Sequence, residues 1–310
     1  MQFVRRVSLS FAVFLLALSL PLPAQHRLSV SRPAMGTPWS ITVYADDTSS
    51  AHRIIDSAYA RIEAVEQAMS DYRTDSEINR LARLPPRRYH RVSGDLYRIL
   101  KLSRQLARRS RGAFDPTVGP LSRLWRRAIR SQTFPSEQEI SRAGSRVQWK
   151  YLRLRRPNLV WLARDSMQLD LGGIAKGYAL DAAGEVLRTG GLPSFLVDGG
   201  GDLLLGASPP DRSGWRIKGP NGPIDTAFVA VATSGTAYKY VEHEGNRYSH
   251  LIDPRTGMGV VGVRSVSVFA PSGTLADALA SALLVTDPRK EPKWLKKYAS
   301  VRYYRKRRED

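Results

Sequence analysis

The stretch that decides the fold is Leu169-Asp-Leu-Gly-Gly-Ile-Ala-Lys-Gly-Tyr-Ala-Leu-Asp181. It predicts a strand that turns at its paired glycines and opens a helix, which runs to the next glycine pair at residues 190 and 191. A glycine turn at a helix start presents free backbone N–H groups and the positive end of the helix dipole, so it favours an anionic ligand. Lys176 falls in the first helical turn, where a cation is unfavourable unless a negative group lies nearby. A tight connection that needs glycine only for packing stays an equal alternative, because the spacing matches neither the P-loop nor the dinucleotide fingerprint.

The chain is long enough for a full hydrophobic core, but its charge is unusual. It has 310 residues and a formal net charge of +20 at pH 7. Such a balance favours nucleic acid, anionic membranes or acidic partners. Cysteine is absent, which excludes disulfides, thiolate catalysis and cysteine-ligated metal sites.

Residues 1–24 have the pattern of a secretory signal peptide. Arg5 and Arg6 form a basic start, residues 7–20 are apolar apart from three serines, and the small residue Ala24 follows. We therefore predict cleavage after Ala24 and a periplasmic protein, and export argues against a nucleic-acid partner. The alternative is an uncleaved anchor that keeps the protein at the inner membrane, since Leu22 is large for its position before the cut.

Apolar periodicity and turn residues predict an α+β fold. We expect a single intertwined domain over residues 25–289, built from mixed or antiparallel sheets with packed helices, and a basic tail over residues 290–310. Predicted helices cover residues 49–69, 135–143 and 275–285. Others follow the caps Ser76 (or Asp75) and Ser93, and one lies around Trp125. Predicted strands cover residues 27–43 around a turn, 151–154, 159–163, 167–170, 194–197, 203–205, 215–218, 227–233, 246–252, 264–269 and 301–305.

The last predicted helix has a pattern that suits a magnesium site. Asp277 and Ser281 are four residues apart and therefore share one helix face. A carboxylate and a hydroxyl form a reasonable partial shell for Mg²⁺, which completes its octahedron with water and phosphate oxygens. The alternative is that Asp277 lies in the first helical turn and only complements the helix dipole.

Two further polar segments have ordinary explanations when each is taken alone. Ala232-Thr-Ser-Gly-Thr236 ends a predicted strand and is typical of a turn. His250 precedes the turn Asp253-Pro-Arg-Thr-Gly257, and a lone histidine near a turn is usually structural or solvated. These two segments therefore indicate a function only in combination with the other motifs of the chain.

Eight motifs occur together in one order. They are Met35-Gly-Thr37, Ser70-Asp-Tyr72 with Asn79 after it, Phe114-Asp-Pro-Thr-Val-Gly-Pro-Leu121, the stretch from Asp170 to Asp181, Asp198-Gly-Gly-Gly-Asp202, Thr233-Ser-Gly235, His250-Leu-Ile-Asp-Pro-Arg-Thr-Gly257 and Ala276-Asp-Ala-Leu-Ala-Ser-Ala282. This order resembles the ApbE family, the FAD:protein FMN transferases, over residues 35–285. Two departures are Ser281, where the family commonly has threonine, and the absence of a lipidated cysteine after the signal.

The resemblance implies a periplasmic, Mg²⁺-dependent enzyme that binds FAD, releases AMP and leaves FMN on a serine or threonine of an acceptor protein. It implies a membrane electron-transfer subunit as acceptor, and the basic tail adds an expected peripheral membrane contact. By motif, the expected contacts to the flavin nucleotide are Met35, Tyr72, Ala113, Phe114, Asp115, Asp170, Lys176, Ser234, His250 and Ile252. The expected metal positions are the carbonyl of Gly173 with Asp277 and Ser281, and the expected catalytic residues are His250 and Asp277.

Three other functions stay open on the sequence. A Mg²⁺-dependent FAD pyrophosphatase would use the same pocket, with water in place of the acceptor hydroxyl. A periplasmic flavin-binding protein would need the pocket but not Asp277. A basic polyanion-binding module would show no flavin affinity and a steep salt dependence. The acceptor, the fate of the signal peptide and the oligomeric state are not encoded in any motif.

Overall fold

The computed structural model describes residues 25–307, so the predicted signal peptide lies outside the described residues. The helices of this part are, in chain order, α1 (Thr48–Met69), α2 (Glu77–Arg83), α3 (Gly94–Arg109), α4 (Gly119–Ser131), α5 (Glu137–Gly144), α6 (Ala175–Thr189) and α7 (Gly273–Leu284). The strands are β1 (His26–Ala34), β2 (Thr37–Ala45), β3 (Tyr89–Arg91), β4 (Leu152–Arg155), β5 (Leu159–Leu162), β6 (Phe195–Gly199), β7 (Leu203–Leu205), β8 (Trp215–Gly219), β9 (Gly222–Thr226), β10 (Ala230–Gly235), β11 (Tyr240–His243), β12 (Asn246–Ile252), β13 (Gly259–Val261), β14 (Arg264–Ala270) and β15 (Arg302–Arg307).

Serine caps fix the starts of several helices. The side chains of Ser76, Ser93 and Ser136 accept the backbone N–H three residues on, at α2, α3 and α5 respectively. Each cap satisfies a helix-end donor that has no partner within the helix. The predicted starts after Ser76 and Ser93 are therefore confirmed.

One seven-stranded sheet organises the domain. Its strand order is β1-β2-β6-β7-β10-β14-β15, and every described strand pairing is antiparallel. The predicted edge strand near residue 301 is β15, which pairs with β14 at the end of the sheet. The part of the basic tail that the structure describes therefore packs as part of the fold, and Leu295 is buried in the main core.

Helices α1, α6 and α7 cover one face of this sheet and form the main core with it. Burying each large aliphatic side chain there stabilises the fold by roughly 1.5–3 kcal/mol. The crossing of α6 and α7 is unusually close, because a Cβ on Gly177 would lie 2.1 Å from the carbonyl oxygen of Gly273. This approach brings Lys176 of α6 and Asp277 of α7 to the same place.

One predicted strand is wrong. Residues 167–170 form no ladder. The segment instead packs on the loop before α4, where Asp170 donates its N–H to the carbonyl of Pro116 at 2.9 Å. A Cβ on Gly119 would lie 2.7 Å from the backbone of Gln168, which shows how close the two segments are. The stretch that opens α6 is therefore held by loop contacts rather than by a neighbouring strand.

Within residues 25–307, no helix combines the length and the apolar character that a bilayer crossing requires.

Candidate active site

The turn that opens α6 already uses most of its N–H groups internally. Gly172 donates to Asp170 Oδ1 at 2.8 Å, and Gly177 donates to Asp277 Oδ2 at 3.0 Å. The N–H groups of Ile174 and Ala175 both donate to the carbonyl of Leu171. The turn therefore offers fewer free backbone N–H groups than the sequence predicts, and its positive charge comes mainly from Lys176.

Lys176 has its negative neighbour within the protein. Its ammonium pairs with the carboxylate of Asp202, which is almost fully buried and also accepts the N–H of Thr233 at 3.0 Å. Burial alone would lower the pKa of Lys176, but the attraction of Asp202, Asp277 and Asp198 outweighs it and leaves the pKa raised. Lys176 is therefore a permanently charged group in the wall of the site.

Asp277 lies beside this pair with its charge only partly compensated. It is 4% exposed, and burial followed by repulsion from Asp202 raises its pKa to about 7, against the attraction of Lys176. Asp277 is the fifth residue of α7 and lies beyond the first turn, so the expected first-turn position is wrong. The helix dipole falls off within that turn and does not explain a buried carboxylate here.

Ser281 and Gly173 complete a set of oxygen donors around Asp277. A Cβ on Gly173 would lie 2.6 Å from Ser281 Oγ, so only glycine lets the backbone approach this hydroxyl. Ser281 Oγ also lies 3.3 Å from the hydroxyl of Ser234 on β10. Gly173, Ser234, Asp277 and Ser281 thus join Lys176 at the start of α6.

These donors fit a hard divalent cation. Carboxylate, hydroxyl and carbonyl oxygens are the ligands that Mg²⁺ takes, and it keeps several waters or phosphate oxygens besides. Within residues 25–307, no three acidic or histidine side chains converge at metal-ligand spacing. A cation held here would therefore depend on Asp277 as its main charged ligand. Burial disfavours the ionised form of this carboxyl, and a bound cation would stabilise that form.

A second cluster surrounds Arg126 on α4. Its guanidinium pairs with the carboxylates of both Asp71 and Asp170, the latter at 3.0 Å, and its central carbon lies 4.2 Å from the centre of the Tyr72 ring. Burial and the nearby Asp170 raise the pKa of Asp71 to about 6, against the attraction of Arg126. Asp170 joins the two clusters, because its other oxygen holds the Gly172 turn.

His250 on β12 faces this second cluster. Burial, together with the charges of Lys239 and Arg126, lowers its pKa, while Asp170 and a backbone contact act in the opposite direction. The ring Nδ1 lies 3.3 Å from the carbonyl of Lys239. His250 is therefore mainly neutral at pH 7, the form that can accept a proton.

The remaining predicted contacts lie on three separate elements. The carboxylate of Asp115 accepts the N–H groups of Thr117 and Trp149, both at 2.8 Å, and so shapes its own loop. Ala113 and Phe114 precede it and are buried. Met35 has a positive φ of 49° and donates its N–H to Glu66 near the end of α1, and Ile252 is buried at the end of β12.

Three residues of the two clusters were not singled out from the sequence. Asp71 and Asp202 do lie inside quoted motifs, next to Tyr72 and at the end of the Asp198 loop, so a motif could have suggested them. Arg126 stands among other arginines in α4 and has no sequence signal. Its position becomes meaningful only through its two carboxylate partners.

Comparisons with known proteins identify the family of this chain. A family model described as the ApbE family matches residues 35–304. The chain is similar to the FAD:protein FMN transferase of Treponema pallidum, with 32% identity over 292 residues that cover 86% of this chain and 81% of that protein. The corresponding protein of Vibrio cholerae is 31% identical, with 91% and 88% covered.

A solved structure of an ApbE protein shows the same fold. The apo form of the flavinyl transferase ApbE from Pseudomonas stutzeri superposes with a TM-score of 0.83 at 28% identity, covering 94% of both chains. The agreement in fold spans nearly the whole of this chain.

Proposed function

Because this chain belongs to the ApbE family, we propose that it is a Mg²⁺-dependent FAD:protein FMN transferase whose site lies between the Lys176 and Arg126 clusters. The reaction breaks the bond between the two phosphates of FAD, releases AMP and joins FMN to an acceptor hydroxyl through a phosphoester. The observation that carries the assignment of the site is the meeting of Lys176, Asp277 and Ser281 at the Gly173 turn, on a chain whose relatives perform flavinyl transfer.

Lys176 supplies fixed positive charge for the diphosphate. The ammonium is held by Asp202 at the start of α6, so it needs little reorganisation when an anion arrives. Asp277, Ser281 and the Gly173 carbonyl would hold Mg²⁺, which neutralises charge on phosphoryl oxygens when bound. A cation held by these three groups would lie beside Lys176, so it would add its positive charge to that of the ammonium at the diphosphate.

His250 is the proposed base for the acceptor. A serine or threonine hydroxyl is a poor nucleophile at neutral pH, and a positioned base that removes its proton typically contributes about 10²- to 10⁴-fold in rate. The lowered pKa of His250 keeps the imidazole neutral and able to accept that proton. The exposed ring of Tyr72 is suited to stacking on a planar ring of the dinucleotide.

We further propose a periplasmic location, from the signal-peptide pattern of residues 1–24, and an acceptor among membrane electron-transfer subunits. The basic residues of the C-terminal segment, including Lys293, Lys296 and Lys297, would give a peripheral contact with an anionic membrane surface.

The test is to incubate the purified protein with FAD and Mg²⁺, with and without exported proteins that carry candidate serine or threonine sites. AMP is followed by chromatography, and covalent FMN on the acceptor by mass spectrometry. Transfer predicts AMP release together with an acceptor that gains the mass of FMN. Release of AMP and free FMN at the same rate without any acceptor would instead identify a pyrophosphatase.

A further inference from the structure

We propose that Arg126 is a positioning residue of the nucleotide site, which fixes Tyr72 and Asp170 as one unit in its wall. This inference rests on the proposed function, because that function makes Tyr72 and Asp170 contacts of the flavin nucleotide. The contacts of Arg126 itself are features of the fold and do not depend on that function.

The guanidinium of Arg126 makes three contacts that only an arginine could combine. It pairs with Asp71 through Nη1 and with Asp170 through Nη2, while its plane lies over the ring of Tyr72. A planar fork can serve two carboxylates and stack on an aromatic face at once, whereas a lysine ammonium is a point charge. Both carboxylates are at most 9% exposed, so these pairs are shielded from solvent.

The ring of Tyr72 gains a defined orientation from this stack. Tyr72 is 71% exposed, and an exposed tyrosine on a loop would otherwise sample several rotamers. Arg126 covers one face and leaves the other for a ligand ring. A pre-oriented aromatic face binds a planar group with less loss of conformational entropy.

A second arginine of α4 holds the backbone of the same segment. Arg123 donates to Asn79 Oδ1 at 3.1 Å, and the Asn79 amide nitrogen donates to the carbonyls of Ser70, Asp71 and Arg73. The segment that carries Tyr72 is thus held to α4 through its backbone and through Arg126. The side-chain hydrogen bonds of Asn79 go to backbone groups and to Arg123, so none of them orients the Tyr72 ring.

Asp170 links Arg126 to the Gly172 turn, which lies at the proposed phosphate end of the site. One of its oxygens pairs with Arg126 and the other accepts the N–H of Gly172. Gly172 precedes Gly173, whose backbone approaches Ser281. Arg126 therefore connects the ring-stacking wall with the turn that holds the oxygen donors.

Arg126 also acts on His250 through charge. The charged groups that act on His250 are Lys239, Arg126 and Asp170. Loss of the Arg126 charge removes a repulsion on the imidazolium and leaves the attraction of Asp170. We therefore expect the pKa of His250 to rise in a variant that lacks this charge, and the acid limb of the transfer reaction to move to higher pH.

The experiment compares Arg126→Met, Arg126→Lys and the adjacent control Arg127→Met. Arg127 lies on the same helix, but it is exposed and pairs with the exposed Glu139. We expect Arg126→Met to weaken FAD binding roughly tenfold, in line with the loss of a partly desolvated cation–π contact and its ion pairs. Arg126→Lys should weaken binding less and keep the acid limb of transfer in place, and Arg127→Met should match the wild type in both measurements.

A double-mutant cycle with Tyr72→Ala separates positioning from general stability. If Arg126 acts through Tyr72, the loss of FAD binding free energy in the double variant is smaller than the sum of the losses in the two single variants. Thermal unfolding of each variant is recorded alongside, and Arg126→Lys serves for the cycle if Arg126→Met does not fold. Additive losses, or an Arg126→Met protein with wild-type FAD affinity and an unmoved acid limb, would overturn the inference. These binding measurements need no acceptor, so a failure of FMN transfer in the wild type would count against the proposed function alone.

Discussion

The backbone N–H of Gly177 donates to the carboxylate of Asp277 across the crossing of α6 and α7, with a distance of 3.0 Å from N to Oδ2. The two residues are 100 positions apart in the chain. This bond fixes the proposed metal ligand relative to Lys176, which precedes Gly177. The spacing between the two functional side chains is therefore set by a helix contact that tolerates no side chain.

Gly177→Ala should damage both stability and turnover. Its Cβ would lie 2.1 Å from the carbonyl oxygen of Gly273, so the helices must separate, and overpacking of this kind typically costs about 1–3 kcal/mol. Urea unfolding and FMN transfer measure the two effects. Gly144→Ala is the control, because a Cβ there meets nothing within 4 Å, and equal stability of the two variants would contradict the close crossing.

Asp277→Asn should abolish Mg²⁺-dependent turnover without unfolding the protein. The loss of several kcal/mol of charge stabilisation should lower the rate by at least roughly 10²-fold. The control Asp287→Asn should stay active, because Asp287 pairs with Arg289 outside the candidate site. Near-wild-type turnover in Asp277→Asn would remove this residue from the site.

The same carboxyl predicts how the stability of the metal-free protein depends on pH. The pKa of Asp277 is raised from 3.8 to about 7 in the fold, so the folded state holds this proton more tightly than the unfolded state. The contribution of this group to stability therefore falls as the pH rises from near 4 to about 7, and then levels off. Denaturant unfolding between pH 5 and 8 should show a smaller decline in Asp277→Asn than in the wild type, and Mg²⁺ should stabilise only the wild type.

Lys176→Met should weaken binding of FAD but not of riboflavin, which lacks phosphate. A hydrogen bond to a charged group contributes about 1.5–3 kcal/mol, which corresponds to a ten- to hundredfold change in affinity. Equilibrium binding of the two flavins to the wild type and the variant measures the difference. An equal loss for both flavins would mean that Lys176 only supports the fold through Asp202.

His250→Ala should lose about 10²- to 10⁴-fold in transfer rate, with little change in FAD affinity. Because the pKa of His250 is lowered, the acid limb of the wild-type profile should lie below the ordinary histidine value of about 6.5. The control is His243→Ala, whose ring stacks on Phe134 at 4.0 Å. Weakened FAD binding with unchanged transfer would assign His250 to the pocket instead.

The protein recovered from a periplasmic fraction should begin near Gln25, since Ala24 is the predicted cleavage position. N-terminal sequencing decides this, and an intact Met1 on membrane-bound protein would show that the signal is retained as an anchor.

The sequence by itself determined the local features of this protein. The serine caps, the glycine stop of α6 and the apolar periodicity of α1 depend on neighbours within one or two helical turns, and all three are confirmed. The pairing of Asp277 with Ser281 on one helix face is local for the same reason. Ordered motifs added the family and hence the activity, because they identify a set of residues without requiring knowledge of their contacts.

The tertiary structure alone decided which of these groups meet. Residues 167–170 have the composition of a strand, yet they pair with no strand in the part of the chain that the structure describes. Asp170 and Asp277 accept the N–H groups of Gly172 and Gly177. The partners in Lys176–Asp202 and Arg126–Asp170 are 26 and 44 residues apart. Periodicity predicts which face of a helix is buried, but it does not predict which side chain that face will meet. That choice depends on packing across the whole core, where the closest approach between α6 and α7 is permitted only by glycine.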